Sequence, residues 1–177
     1  TAEEHAHAVN EHIWMSPARY ARQVENLRDA LAEADPAHAA AYRANAERYL
    51  AQVREMEART SRLSQSLAGR DCATFHDSAA YLAADLSLHV TAALSIGEES
   101  GASAGELAAA ADALRGRDVL LLYDGQYPVE YAYLADYASS SRTVVLDTAV
   151  KPSTGADPAV RWLDAMEANL RALENGG

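Results

Sequence analysis

The chain has 177 residues, 49% of them hydrophobic and 23% charged, which suits one good globular domain, or one domain with an appendage. A formal net charge of −11 excludes a basic surface for nucleic acid or an anionic membrane, and no stretch approaches the roughly 20 apolar residues of a membrane span. Cys72 is the only cysteine, so an internal disulfide and a multi-cysteine zinc site are excluded as well.

Residues 1–16 are polar and rich in His and Glu. Ser16-Pro17 then predicts a helix start, with serine as N-cap and proline at the first helical position. Tyr20, Val24, Leu27 and Leu31 recur at helical spacing behind it. Asp35-Pro36 breaks that helix and opens another. The second runs without a breaker to Gly69, with Ala40, Tyr42, Ala46, Tyr49, Val53, Met56, Leu63 and Leu67 on an apolar side. A helix over 36–68 reaches on the order of 45–50 Å, longer than a small domain is wide, so it is expected to project from one domain or bridge two.

From Arg70 onward, short apolar runs alternate with helical stretches. Strands are predicted at 72–75, 89–94, 119–123 and 143–146, and helices at 77–86, 103–115, 128–139 and 158–173. This βαβαβαβα alternation predicts the α/β class, a four-stranded parallel sheet with helices on both faces. Cys72, at the head of the first strand, reads as a buried and inert core thiol.

Three residues stand where side chains converge on a crevice above such a sheet. His12 lies just before a helix start, in Asn10-Glu11-His12-Ile13-Trp14-Met15-Ser16-Pro17. His76 joins the first strand to its helix, in Thr74-Phe75-His76-Asp77-Ser78-Ala79-Ala80-Tyr81. Asp147 ends the last strand, in Val144-Val145-Leu146-Asp147-Thr148. Two imidazoles and a carboxylate suit a borderline divalent cation such as zinc. Each residue also has a plain reading: His12 as a packing residue, His76 as a helix-start neighbour, Asp147 as a loop cap. His38 and His89 read as structural or surface residues.

The order and wording of these segments resemble the solute-binding proteins of zinc and manganese ABC transporters. In that family two lobes are joined by one long rigid helix, with the metal held between them. His12 with Trp14 and Pro17 looks like the family's "His-x-Trp-x-x-Pro" ligand motif. His76 looks like the ligand after the first strand of the second lobe, and Asp147 like the aspartate after its last strand. Asp35-Pro36 with Tyr42 and Asn45 resembles the start of the bridging helix, and Trp162-Leu163-Asp164-Ala165-Met166 the closing helix. His5 and His7 near Glu3, Glu4 and Glu11 resemble the His- and acid-rich loop of zinc-importing members. The segment after the third strand, Tyr123-Asp124-Gly125-Gln126-Tyr127, departs from the family's usual one, and leaves Asp124 as the alternative to Asp147 at the site.

The resemblance implies residues 1–35 as the tail of the N-terminal lobe, 36–68 as the bridging helix and 69–177 as the C-terminal lobe. The rest of the first lobe, with its histidine, has no counterpart. It implies metal ligands His12, His76 and Asp147, Zn²⁺ with Mn²⁺ as the alternative, and an ABC permease as partner. The expected place is periplasmic or extracellular, by a lipid anchor in some members. The surface facing the absent lobe would favour self-association.

Catalysis is not expected. There is no Gly-x-Ser-x-Gly elbow and no phosphate-cradling Gly-x-x-x-x-Gly-Lys-Ser/Thr sequence. A metal-independent α/β interaction module is the competing reading. A phospho-acceptor version of it lacks an acidic cluster, because Phe75-His76-Asp77 offers one carboxylate beside an imidazole.

Overall fold

The computed structural model describes residues 10–94, 101–127, 131–151, 157 and 159–175. His5 and His7 lie outside the described residues. Ser16 closes a short 3-10 turn, Ile13–Met15, and its Oγ accepts from the Arg19 N–H to cap helix α1, Pro17–Ala34. A second 3-10 turn, Pro36–His38, leads into helix α2, Ala39–Leu67. At 29 residues, α2 is about 44 Å long. Helix α1 folds back along it, and α2 also packs on the last helix.

The strands are β1, Asp71–Thr74; β2, His89–Ala93; β3, Asp118–Asp124; and β4, Ser140–Leu146. Between them run helix α3, Ala80–Asp85, and helix α4, Ala104–Leu114; helix α5, Arg161–Glu174, closes the chain. All pairings are parallel, in the order β2-β1-β3-β4. The expected four-stranded α/β sheet is therefore present.

Strand β3 reads as an unbroken apolar run because both sheet faces are covered. Leu120 and Leu122 point into a core with Leu50 of α2, Leu82 of α3, Leu86 just after it, and Met166 and Leu170 of α5. Val119, Leu121 and Tyr123 point into a second core with Ala110, Leu114 and Leu134. Phe75 stacks on Tyr123 there, ring centroids 4.0 Å apart.

Two expectations need correction. Where a helix was expected over 128–139, the described part is only a 3-10 stretch, Ala132–Tyr137, while 128–130 lie outside the described residues. The last helix starts at Arg161, because Asp157 Oδ1 accepts from the Ala159 N–H in a turn that precedes it. Leu27 and Leu31 keep the expected helical spacing within α1 and stand 60% and 39% exposed, toward the turn that joins α1 to α2.

Candidate metal centre

Because the sheet order is 2-1-3-4, the chain leaves β1 toward one side and β3 lies on the other. The carboxyl ends of β1 and β3 thus flank the point where the winding reverses, the usual place for a ligand crevice in an open α/β sheet. His76 follows β1 by two residues, Asp124 is the last residue of β3, and Asp147 follows β4.

His12 reaches this edge from a different element, and Trp14 is the reason. The Trp14 indole N–H donates to the Thr148 carbonyl just beyond β4 at 2.9 Å. The Trp162 indole N–H of α5 donates back to the Trp14 carbonyl at 2.9 Å. Met15 is buried beneath them, and the Tyr81 hydroxyl donates to the Asn10 carbonyl. The "His-x-Trp-x-x-Pro" spacing thereby has a physical meaning: an anchor, a cap and a helix start that carry one imidazole over the sheet.

His12 and His76 meet edge to face, with ring centroids 5.1 Å apart. Asp77 completes a group whose potential ligand atoms all lie within 4.8 Å of one another. One oxygen, Asp77 Oδ1, is 3.3 Å from Nδ1 of both rings. The His12 Nδ1 also sits 3.0 Å from Asn10 Oδ1. That amide is oriented by its other bonds: its nitrogen donates to the Asp77 carbonyl, and its oxygen accepts from the His12 backbone N–H. His12 Nδ1 therefore carries the ring proton, and Nε2 keeps its lone pair. The His76 Nδ1 faces Asp77 Oδ1, Asp124 Oδ2 at 3.3 Å and the Ser78 N–H at 3.2 Å. Tyr127 leans on the same ring, with centroids 5.1 Å apart.

Asp124 is buried, its side chain only 1% exposed. Its Oδ1 accepts from the Gln126 N–H and the Thr148 hydroxyl, and its Oδ2 from the Ser78 hydroxyl at 2.8 Å. Asp147 stands outside the His12–His76–Asp77 group. Its Oδ1 accepts from the Ala149 N–H at 2.9 Å, turning a loop in which Ala149 takes φ +59°, and from Arg161 Nη2 at 2.6 Å. Burial works against ionisation of Asp147, but the bonds from Arg161 and Ala149 and the guanidinium charge hold its pKa below the usual value. Its side chain is 44% exposed, beside a cleft of about 320 Å³ that Thr148, Lys151 and Arg161 also line.

The structure thus brings His12 and His76 together and sets Asp147 against an arginine. Asp77 is a member of the site that the sequence pattern did not single out. Its signal was its place directly after His76, at the start of a 3-10 turn. His38 and His89 are exposed and paired with Asp35 and Asp71.

Residues 1–176 match the family described as zinc-uptake complex component A, periplasmic. The zinc-binding protein AdcA of Streptococcus pyogenes is 28% identical over 151 residues, covering 84% of this chain and 27% of that protein. The high-affinity zinc uptake system protein ZnuA of Bacillus subtilis is 24% identical over 174 residues, covering 96% of this chain and 54% of that protein. The chain therefore spans about a quarter to a half of these relatives. Among solved structures, the solute-binding protein FpvC of Pseudomonas aeruginosa in complex with Mn²⁺ superposes with a TM-score of 0.77 at 24% identity, over 96% of this chain and 65% of that one. That likeness bears on the fold. With the family matched over nearly every residue, this chain belongs to the periplasmic zinc-uptake component A family.

Proposed function

We propose that this chain is the part of a metal-capturing solute-binding protein that supplies two imidazoles to a divalent transition metal, zinc before manganese. The ion is cargo for an ABC importer permease, taken up outside the cytoplasmic membrane, and no chemistry is done on it. The observation that carries this is the pairing of His12 and His76 at the winding-reversal edge. All polar partners of the two rings among the described residues meet Nδ1. Both Nε2 atoms are thereby left to bind an ion. Two neutral imidazoles favour zinc over the oxygen-preferring manganese.

Asp147 is the carboxylate ligand in this reading. It leaves the same sheet edge, and the Trp14–Thr148 bond ties its neighbour to the His12 segment. To reach the ion it exchanges Arg161 for the metal. Asp77, whose Oδ1 lies 3.3 Å from both Nδ1 atoms, stays outside the coordination sphere in this reading. Residues 36–68 act as the rigid bridge and 69–177 as the lobe that presents His76 and Asp147.

The test is the thermal midpoint of metal-free protein titrated with Zn²⁺ and Mn²⁺. An ion that binds the native state raises the midpoint with the logarithm of ligand excess, by about 2.7 kcal/mol of stability at a hundredfold excess over Kd. Zinc should raise it more than manganese, and His76→Ala should abolish the rise. Arg161→Ala should strengthen the zinc response, and adding Asp147→Ala should remove that gain. No response to either ion from the wild-type chain would overturn the proposal.

A further inference from the structure

Asp124 has the burial of a core residue and the charge of a surface one. A buried carboxylate is costly unless its charge is answered. Its neutral donors, the Ser78 and Thr148 hydroxyls and the backbone N–H and side-chain amide of Gln126, satisfy lone pairs but bring no positive charge. Among the described residues, the one basic side chain within 4 Å of it is the His76 imidazole, whose Nδ1 lies 3.3 Å from Oδ2.

Nδ1 of His76 meets one amide hydrogen, from Ser78, and two carboxylate oxygens, from Asp77 and Asp124. It cannot accept from the first while donating to the others. Ser78 N lies in the first turn of a 3-10 helix, where an N–H without a helical partner is ordinary. A bond from a ring N–H to a carboxylate is charge-assisted and roughly twice as strong as a neutral one. Ser78 N–H keeps hydrogen-bond geometry to Nδ1 at 3.2 Å, and Asp124 Oδ2 stands 3.3 Å from the same atom, within reach of a proton carried there.

Resting on the metal-capture reading, we infer that Asp124 is the positioning residue of His76. It accepts from Nδ1–H, fixes the ring's orientation and tautomer, and leaves Nε2 as the atom that meets the ion. Asp124 touches no cargo itself. Ser78 and Thr148 hold the carboxylate in place, so the β1 exit, the β3 end and the β4 exit all converge on one imidazole. Asp77, more exposed and shared between both rings, is a weaker version of the same device. A buried outer partner of this kind is worth about 10–100-fold in metal affinity.

Asp124→Asn tests this, because it preserves shape and turns an obligate acceptor into a group that can donate to Nδ1. The same replacement of an orienting aspartate forces the histidine of a serine-protease triad into the wrong tautomer. Two readouts are needed: the His76 tautomer in metal-free protein from two-bond ¹H–¹⁵N correlations, and the zinc Kd by competition with a chelator. Wild-type His76 is expected in the Nδ1–H form. Asp124→Asn is expected to move it to Nε2–H and to weaken zinc binding at least tenfold, with Asp124→Glu recovering part of both. Wild-type His76 in the Nε2–H form, or a variant unchanged in tautomer and affinity, would overturn the inference. A tautomer that flips in a chain that takes up no zinc would uphold the hold of Asp124 on His76 while sinking the metal-capture reading.

Discussion

Trp14→Phe isolates the anchor that brings His12 to the sheet. Phenylalanine keeps most of the ring packing and removes the indole N–H, so the Thr148 carbonyl loses its 2.9 Å donor. Thr148 is only 2% exposed, and water cannot readily replace that donor. A net hydrogen bond is worth about 1 kcal/mol, and an orphaned buried acceptor raises the loss to about 1–2 kcal/mol. The Trp162 bond is made to the Trp14 backbone and survives the change. For a chain of this length, about 1.5 kcal/mol lowers the thermal midpoint by about 3–6 °C. Calorimetry and urea unfolding measure the loss, and a chelator competition on the same samples follows zinc. The expected result is lower stability together with weaker zinc binding, since His12 is held over β4 by this residue. Full stability would refute the anchoring argument. Lost stability with unchanged zinc affinity would show that His12 is positioned by Asn10 and Tyr81 instead.

Two further outcomes follow from the same structure. Asp71 accepts from His89 and Arg117 at the opposite end of the sheet, and these bonds hold its pKa below the usual value. The stability it contributes is present above the unfolded carboxylate pKa of about 3.9 and is lost as pH falls through the depressed folded value. Asp71→Asn should therefore destabilise the protein near neutrality and leave a shallower acid limb in a pH series of urea midpoints; parallel wild-type and variant curves would contradict this. Cys72 is fully buried, and burial, with Asp71 nearby, pushes its thiol up to about 12. It should resist a thiol reagent in native protein at pH 8 and react at once in denaturant, so prompt native labelling would refute its core placement.

The α/β class was legible because each strand and helix announces itself locally. Cys72 to Phe75 and Val119 to Tyr123 are short apolar runs with breakers on either side, and Ser16-Pro17 is a cap beside a proline. The long α2 was legible because nothing between Ala39 and Leu67 interrupts it. The stretch after Tyr127 was not, since its alternating tyrosines and alanines permit an α-helix but the described part closes only 3-10 turns. Leu27 and Leu31 show the same limit: spacing assigns a helix face, but packing partners decide whether that face is covered.

At the candidate site, sequence by itself determined that His12 precedes a helix, that His76 leaves the first strand and that Asp124 and Asp147 end later ones. Those positions follow from local hydrogen-bonding rules, and parallel winding then places them on one edge. Only the tertiary structure decided which way the carboxylates turn. Asp124 faces His76 across 48 residues of sequence and Asp147 faces Arg161 of α5, while Trp14 finds Thr148 across 134 residues. A strand's period sets the face a side chain leaves from, but the partner it meets depends on how separate elements cross. No local pattern encodes that crossing.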